Sequence, residues 1–256
     1  MTQVNQQLIL DYQFKPQYSF SNFVITPSTE VAYNAAMSVS RKPGQKYNPL
    51  CIYGDMGVGK THLLGAIGKE ARSSISDAVI VCINSKFFLS QQEKANNEFD
   101  VVTLVKEYND VDFLIIDDID AILKNPSIDE KIFHLYNHLI QKGRQLIFSS
   151  SIPPNQLKFT DQNLKSRLES GLTVKIEKMN DEDKRKVINR LAKNFEVFIP
   201  HNVVDYILNS APRDFISLHN IISRINRLSL ETKKKITLSL VKKSLKKCLF
   251  SKFHEY

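Results

Sequence analysis

Residues Gly54 to Thr61 read GDMGVGKT, and their types and spacing serve one kind of chemistry. The pattern G-x-x-x-x-G-K-[ST] wraps a polyphosphate with backbone N–H groups, so glycine is needed where the chain meets oxygen. A helix beginning near Gly59 would point the positive end of its dipole at the same phosphates. Lys60 can reach the β and γ oxygens, and the Thr61 hydroxyl can ligate Mg²⁺. Asp55, Met56, Gly57, Val58 and His62 complete the candidate cofactor-binding stretch. The implied ligand is ATP or ADP with Mg²⁺. A glycine-rich turn without a ligand is the weaker reading, because a buried strand precedes this one and a helix follows it.

A second piece of such a site should emerge from another parallel strand, and FLIIDDID at 113–120 supplies it. Asp117 would hold Mg²⁺ through water, and Asp118 would polarise an attacking water. Paired acids after a strand are often no more than a helix amino-terminal cap; the phosphate loop upstream favours the nucleotide reading. Thr61 and Asp117 are the candidate metal residues. Arg167 and Arg213 join Asp117 and Asp118 as candidate catalytic groups, since a planar guanidinium suits a γ-phosphate. An isolated arginine is usually a surface residue, so both depend on their surroundings.

Such a site needs strands that end together. LCIY at 50–53, AVIVCI at 78–83, DFLIID at 112–117, QLIFSS at 145–150 and LTVKIE at 172–177 are short apolar runs with room for helices between them. That texture predicts a parallel sheet covered on both faces, an α/β core. After residue 178 the pattern turns helical. NDEDKRKVINRLAKNF opens on Asn180 and acids, PHNVVDYILNSA starts with Pro200, and RDFISLHNIISRINRLSL lines up Phe215, Leu218, Ile221, Ile222 and Ile225. TLSLVKKSLKKCL predicts a fourth helix. The expected division is a tail over 1–17, a nucleotide-binding core over 18–178 and a helical lid over 179–256.

At 256 residues, 42% hydrophobic and 24% charged, the composition is that of a globular protein. No apolar run is long enough to span a bilayer, and Gln3, Asn5, Gln6, Gln7 and Asp11 interrupt any secretory signal, so a cytoplasmic place is expected. Cys51, Cys82 and Cys248 have no metal-ligand spacing and read as buried reduced thiols. Net charge is +8; residues 231–256 hold eight lysines against Glu231 and Glu255 and carry +6 of it. A basic tail is either a phosphate-binding patch or a solvated helix face.

The stretches YSFSNFVITPSTEVAYNAAM, YNPLCIYGDMGVGKTHLL, DFLIIDDIDAI, QLIFSSSIPP and LKSRLESGLTVKIE resemble, in order, the AAA+ core of the DnaA family of bacterial replication initiators. The resemblance runs from about residue 18 to residue 247. It implies an AAA+ P-loop core with a parallel sheet sandwiched by helices and a C-terminal α-helical lid. By its motifs Lys60 and Thr61 match Walker A, Asp117 and Asp118 match Walker B, Arg167 the arginine finger and Arg213 sensor 2. Asn22, Val24 and Ile25 fall in the stretch that contacts adenine. Ser151 stands at a sensor 1 position usually held by Asp, and Asn163 where a second arginine is common. Both departures bear on the chain's own hydrolysis, which is expected to be weak.

A DnaA-like chain that stops at Tyr256 leaves no room for the family's helix-turn-helix domain, and it resembles the Hda group, regulatory inactivators of DnaA. That group opens on a clamp-binding peptide. Gln7, Leu8, Leu10 and Tyr12 in QLILDY fit it as a hook for the DNA polymerase sliding clamp, its beta subunit. A first strand or a chance apolar tail is the plainer alternative. The partners implied are DnaA and the clamp, with DNA met mostly through the clamp, no membrane, and a homo-oligomer as an option. The rival expectation is a nucleic-acid-binding AAA+ factor, a helicase loader or initiator fragment, resting on the lysine-rich tail. A free-standing ATPase is the third.

Overall fold

The computed structural model describes residues 18–85, 89, 111–123, 126–159, 162–212 and 214–242. Gln7, Leu8, Leu10, Tyr12, Arg213 and the lysines beyond Lys242 lie outside the described residues. The chain divides into two compact units, Met1–Glu177 and Lys178–Tyr256.

The first unit is a five-stranded parallel sheet between two helical layers. Its strands are β1 (Leu50–Tyr53), β2 (Ile80–Asn84), β3 (Phe113–Asp117), β4 (Gln145–Ser150) and β5 (Leu172–Lys175), in the order β2-β3-β4-β1-β5. Its helices are α1 (Glu30–Arg41), α2 (Lys60–Ser74), α3 (Pro126–Gln141) and α4 (Gln162–Glu169). Successive strand residues point to opposite faces. Leu50, Ile52, Ile80, Cys82, Phe113, Ile115 and Ile147 therefore pack on one side with Ala36 and Val39 of α1 and Leu63, Leu64 and Ile67 of α2. Cys51, Val81, Ile83, Leu114, Ile116, Leu146 and Phe148 pack on the other, with Ile132 and Leu139 of α3 and Leu164 and Leu168 of α4. Two covered faces explain why the strands read as unbroken apolar runs rather than alternating ones. Truncating a centrally placed residue such as Ile115 to Ala would cost about 2–5 kcal/mol.

β1 and β4 begin and end where the apolar runs do. The run at 78–83 forms its strand two residues later than expected. Val79 spends its N–H on the Asp112 side chain at 3.0 Å before pairing with β3 begins at Ile80. The last strand ends at Lys175 rather than 177, although Ile176 still donates to the Tyr53 carbonyl at 2.8 Å. β4 lies between β1 and β3, pairing Ile147 with both Leu50 and Ile115. The loop strand and the acid strand are thus separated by one strand, whose carboxyl end meets both.

The second unit is helical: α5 (Asp181–Asn194), α6 (His201–Ser210) and α7 (Phe215–Thr232), with residues 238–242 also helical. Asn180 and Asp183 form a reciprocal capping box at the start of α5. Asp214 caps α7 by accepting from the Ser217 N–H at 2.8 Å. Val187, Ile188, Leu191, Val203, Ile207, Leu218, Ile222 and Ile225 are buried. Phe215, expected on that face, is half-buried and its ring meets His219. Among the described residues no helix is long and apolar enough to cross a membrane.

Candidate functional site

The loop between β1 and α2 turns on three left-handed glycines, Gly54 (φ 152°), Gly57 (φ 84°) and Gly59 (φ 111°), a backbone that L side chains adopt only with strain. At Gly54 a second constraint applies: a Cβ there would sit 2.2 Å from the Ile176 carbonyl oxygen. The oxygen this glycine must clear belongs to the protein's own neighbouring strand. Gly59 is the N-cap of α2, so Lys60, Thr61 and His62 make up its first turn. Val58 is buried and Met56 is 89% exposed at the tip of the loop.

Lys60 is buried, and its ammonium donates to the Gly54 carbonyl at 2.6 Å and the Asp55 carbonyl at 3.1 Å. The Thr61 hydroxyl donates to Oδ2 of Asp117 at 2.8 Å. Asp117, 1% exposed, ends β3. Its other oxygen accepts from the hydroxyl of Ser149 on β4. Asp118 follows in the left-handed region at φ 55°, ahead of a short 3₁₀ turn at Ile119–Ala121. Its side chain makes no capping hydrogen bond, so the helix-cap explanation of the acid pair fails. Its N–H donates to Ser149 Oγ at 2.8 Å.

This donor set fits a magnesium nucleotide. A threonine hydroxyl that gives its proton to a carboxylate keeps its lone pairs for a hard cation, and the carboxylate faces the same point. The α2 N-terminus and the loop amides supply an anion cradle beside it. When bound, Mg²⁺ would neutralise phosphate charge there. The loop and the α2 N-terminus would hold the phosphates, and Thr61 and Ser149 hold the Asp117 carboxylate.

Two aromatic residues, Tyr18 and Phe23, form a strap over the start of α2. Tyr18 packs on Gly65, where a Cβ would lie 2.8 Å from it, and its ring lies 5.4 Å from that of His62. Phe23 sits edge-on to His62 at 5.2 Å and touches Gly59, while lying stacked on Tyr33. The His62 Nε2 is 3.0 Å from the Ser19 carbonyl oxygen. Burial pushes its imidazole below the usual value, with the Ser19 carbonyl opposing. His62 is thus engaged with the strap. Asn22 and Val24 are half-buried in the strap and Ile25 is 48% exposed. Burial and the charge on Asp117 raise the Tyr18 phenol.

Arg167 is exposed in the last turn of α4. Its helix is pinned by Leu164 and Leu168, and its carbonyl accepts from Tyr136 at 3.2 Å and Ser170 at 2.7 Å. Ser151 is exposed, and both its N–H and its hydroxyl engage the Asp120 carboxylate. The structure therefore brings together Gly54 to Thr61, Asp117 and Asp118. It adds Ser149, Tyr18 and Asp120, none of which the sequence pattern had singled out, and Phe23, which lies inside the Asn22–Ile25 stretch.

Residues 14–175 match the family model of the bacterial DnaA ATPase domain. The chain belongs to this family. Residues 181–245 match the model of the Hda lid domain. The replication initiator DnaA of Borreliella afzelii (strain PKo) is 33% identical over 236 residues, 92% of this chain and 48% of that protein. The chain spans about half the length of the curated relatives it matches. Domain III of Thermotoga maritima DnaA superposes with a TM-score of 0.78 at 29% identity, covering 89% of this chain and 95% of that one. A DnaA initiator bound to AMPPCP and single-stranded DNA gives 0.74 at 27% identity, with 86% and 68% covered. The DnaA-family fold, an AAA+ core with a helical C-terminal region, is the expected one.

Proposed function

We propose that this chain is an Hda-type regulator of replication initiation. It binds ADP or ATP with Mg²⁺ at Gly54–Thr61 and acts in the cytoplasm on DnaA. Its residues Gln7, Leu8, Leu10 and Tyr12 hook the sliding clamp on DNA. From there Arg167 enters the nucleotide site of a neighbouring DnaA in a head-to-tail contact, where its guanidinium stabilises charge developing on the γ-phosphate. Arg213 reads the chain's own nucleotide as sensor 2, and Asp117 and Asp118 serve a slow intrinsic hydrolysis. The observation that carries this reading is the exposed Arg167 on a helix locked into the core. An arginine lent to a partner must project into solvent from a rigid base. The match of residues 181–245 to the Hda lid model supports the same reading.

The test is ATP hydrolysis by purified DnaA with clamp-loaded DNA. Wild-type protein should stimulate it, and Arg167→Ala should remove the stimulation, a loss on the order of 10³-fold or more in rate, while nucleotide and clamp binding persist. Equal stimulation by both proteins refutes the role of Arg167.

A second reading, a nucleic-acid-binding AAA+ factor, is favoured by the exposed Lys233, Lys234 and Lys235 and by the DnaA relative bound to single-stranded DNA. It requires tight, salt-sensitive binding to single-stranded DNA with no clamp present. Feeble binding to free DNA, with clamp affinity lost in Gln7→Ala, decides for the regulator.

A further inference from the structure

β4 ends between the two halves of the phosphate site and places three consecutive serines there. They do different work. The Ser150 hydroxyl accepts from the Ile152 N–H at 3.2 Å, and the Ser151 hydroxyl binds Asp120. Ser149 is fully buried and reaches the acid pair. Its hydroxyl donates to Oδ1 of Asp117 and accepts from the Asp118 N–H at 2.8 Å.

Two consequences follow from those bonds. Asp117 is gripped at both oxygens by hydroxyls from different elements, Ser149 on β4 and Thr61 on α2. It cannot rotate about its Cβ–Cγ bond without breaking one of them. Asp118 holds a left-handed backbone that an L-residue adopts at a cost, and the bond to Ser149 Oγ ties down the amide at that turn. One hydroxyl thereby holds the Asp117 carboxylate and the backbone turn that carries Asp118.

We propose that Ser149 is a positioning residue for the metal half of the site: it aims Asp117 at Thr61 and holds the turn that presents Asp118. This rests on the reading that the loop takes a magnesium nucleotide. Partners of a metal-site carboxylate typically change metal affinity about 10–100-fold when removed.

The experiment measures ADP affinity by titration calorimetry over a range of Mg²⁺ concentrations and in EDTA. In Ser149→Ala, affinity in EDTA should stay within about twofold of wild type, while the Mg²⁺ needed for half of the metal-dependent gain rises about 10-fold or more. Ser149→Thr keeps a hydroxyl and should restore the wild-type requirement. Ser150→Ala removes a neighbouring buried hydroxyl and should change neither quantity. On nucleotide-free protein, hydrogen exchange at the Asp118 amide should speed up about tenfold or more in Ser149→Ala and not in Ser150→Ala. Should the alanine variant fail to fold, Ser149→Cys, close in size and a weak donor, replaces it.

A wild-type Mg²⁺ requirement in Ser149→Ala overturns the proposal, as do equal changes in Ser149→Ala and Ser150→Ala. A wild-type protein whose ADP affinity ignores Mg²⁺ overturns the site reading instead. The exchange rate at Asp118 then still decides whether Ser149 holds the turn.

Discussion

Two lysines, one in each unit, are buried in the same manner and face opposite electrostatic situations. Lys60 donates to the carbonyls of Gly54 and Asp55, and Lys184 donates to those of Leu208 and Ala211. Lys184 closes the end of α6, where orphan carbonyls and the negative end of the dipole favour a cation. Lys60 is the first residue of α2, at the positive end of a dipole, where a cation is disfavoured. Its acceptors lie in a loop that turns on left-handed glycines. The first arrangement is complete in itself. The second would be completed by an anion, which would pair the ammonium and satisfy the helix amides together. A buried lysine therefore marks a ligand site through the sign of the helix end beside it, and burial alone does not distinguish the two.

The comparison can be broken by the same substitution in each unit. Lys60→Met should lower nucleotide affinity on the order of 100-fold, the loss of charge-assisted bonds to phosphate. Thermal stability of the nucleotide-free protein should fall less than in Lys184→Met, because removing a cation from the positive end of α2 offsets part of the loss of a donor to the Gly54 and Asp55 carbonyls. Lys184→Met should do the reverse. Two buried carbonyls lose their donor, unfolding of the helical unit becomes easier by about 2–4 kcal/mol, and ADP binding by the first unit holds. Calorimetry and denaturant titration on both variants read both quantities. A nucleotide defect in Lys184→Met, or a folding defect in Lys60→Met as large as that in Lys184→Met, would erase the distinction.

A smaller effect separates the units by pH. The His62 imidazole is held below its usual value, so its contribution to stability is present above about pH 6.5 and is lost as pH falls through the lower folded value. Melting temperature should fall with acidification in wild type and fall less in His62→Gln. A parallel decline in both proteins would remove His62 from the account.

The smallest effect is expected from charge. Met1–Glu177 holds 18 Lys and Arg against 19 Asp and Glu, whereas Lys178–Tyr256 holds 17 against 8, so the helical unit carries all of the net positive charge. With clamp-loaded DNA, replacing Lys233, Lys234 and Lys235 by Ala should weaken binding less than about tenfold if, as proposed, the clamp supplies most of the hold. A larger loss, seen equally on free single-stranded DNA, moves the balance to the nucleic-acid-binding reading.

Much of the site was legible because its residues are contiguous. Gly54 to Thr61 carries its own backbone geometry, and FLIID must be a buried strand that delivers Asp117 to the carboxyl end of the sheet. The faces of α5 and α7 follow from apolar spacing for the same reason. Ser149 was not legible. Its role depends on β4 inserting between β1 and β3, and 31 positions separate it from Asp118. The left-handed turn at Asp118 was equally hidden, since Asp–Asp after a strand is compatible with an ordinary helix cap. His62 sits beside the motif in sequence, but its bond to Ser19 spans 43 positions and brings the aromatic strap with it. Local pattern finds the glycine loop and the acid strand, and long-range packing selects the groups that orient them.

The most direct measurement is amide hydrogen exchange across the first unit, with and without ADP and Mg²⁺. If a polyphosphate nests on the main chain here, the amides of Gly57, Val58, Gly59, Lys60 and Thr61 gain protection in wild type. Lys60→Met should show little protection at the same ligand concentration. Unchanged exchange over Gly57–Thr61 at saturating nucleotide, or protection appearing elsewhere in the unit, would contradict the account.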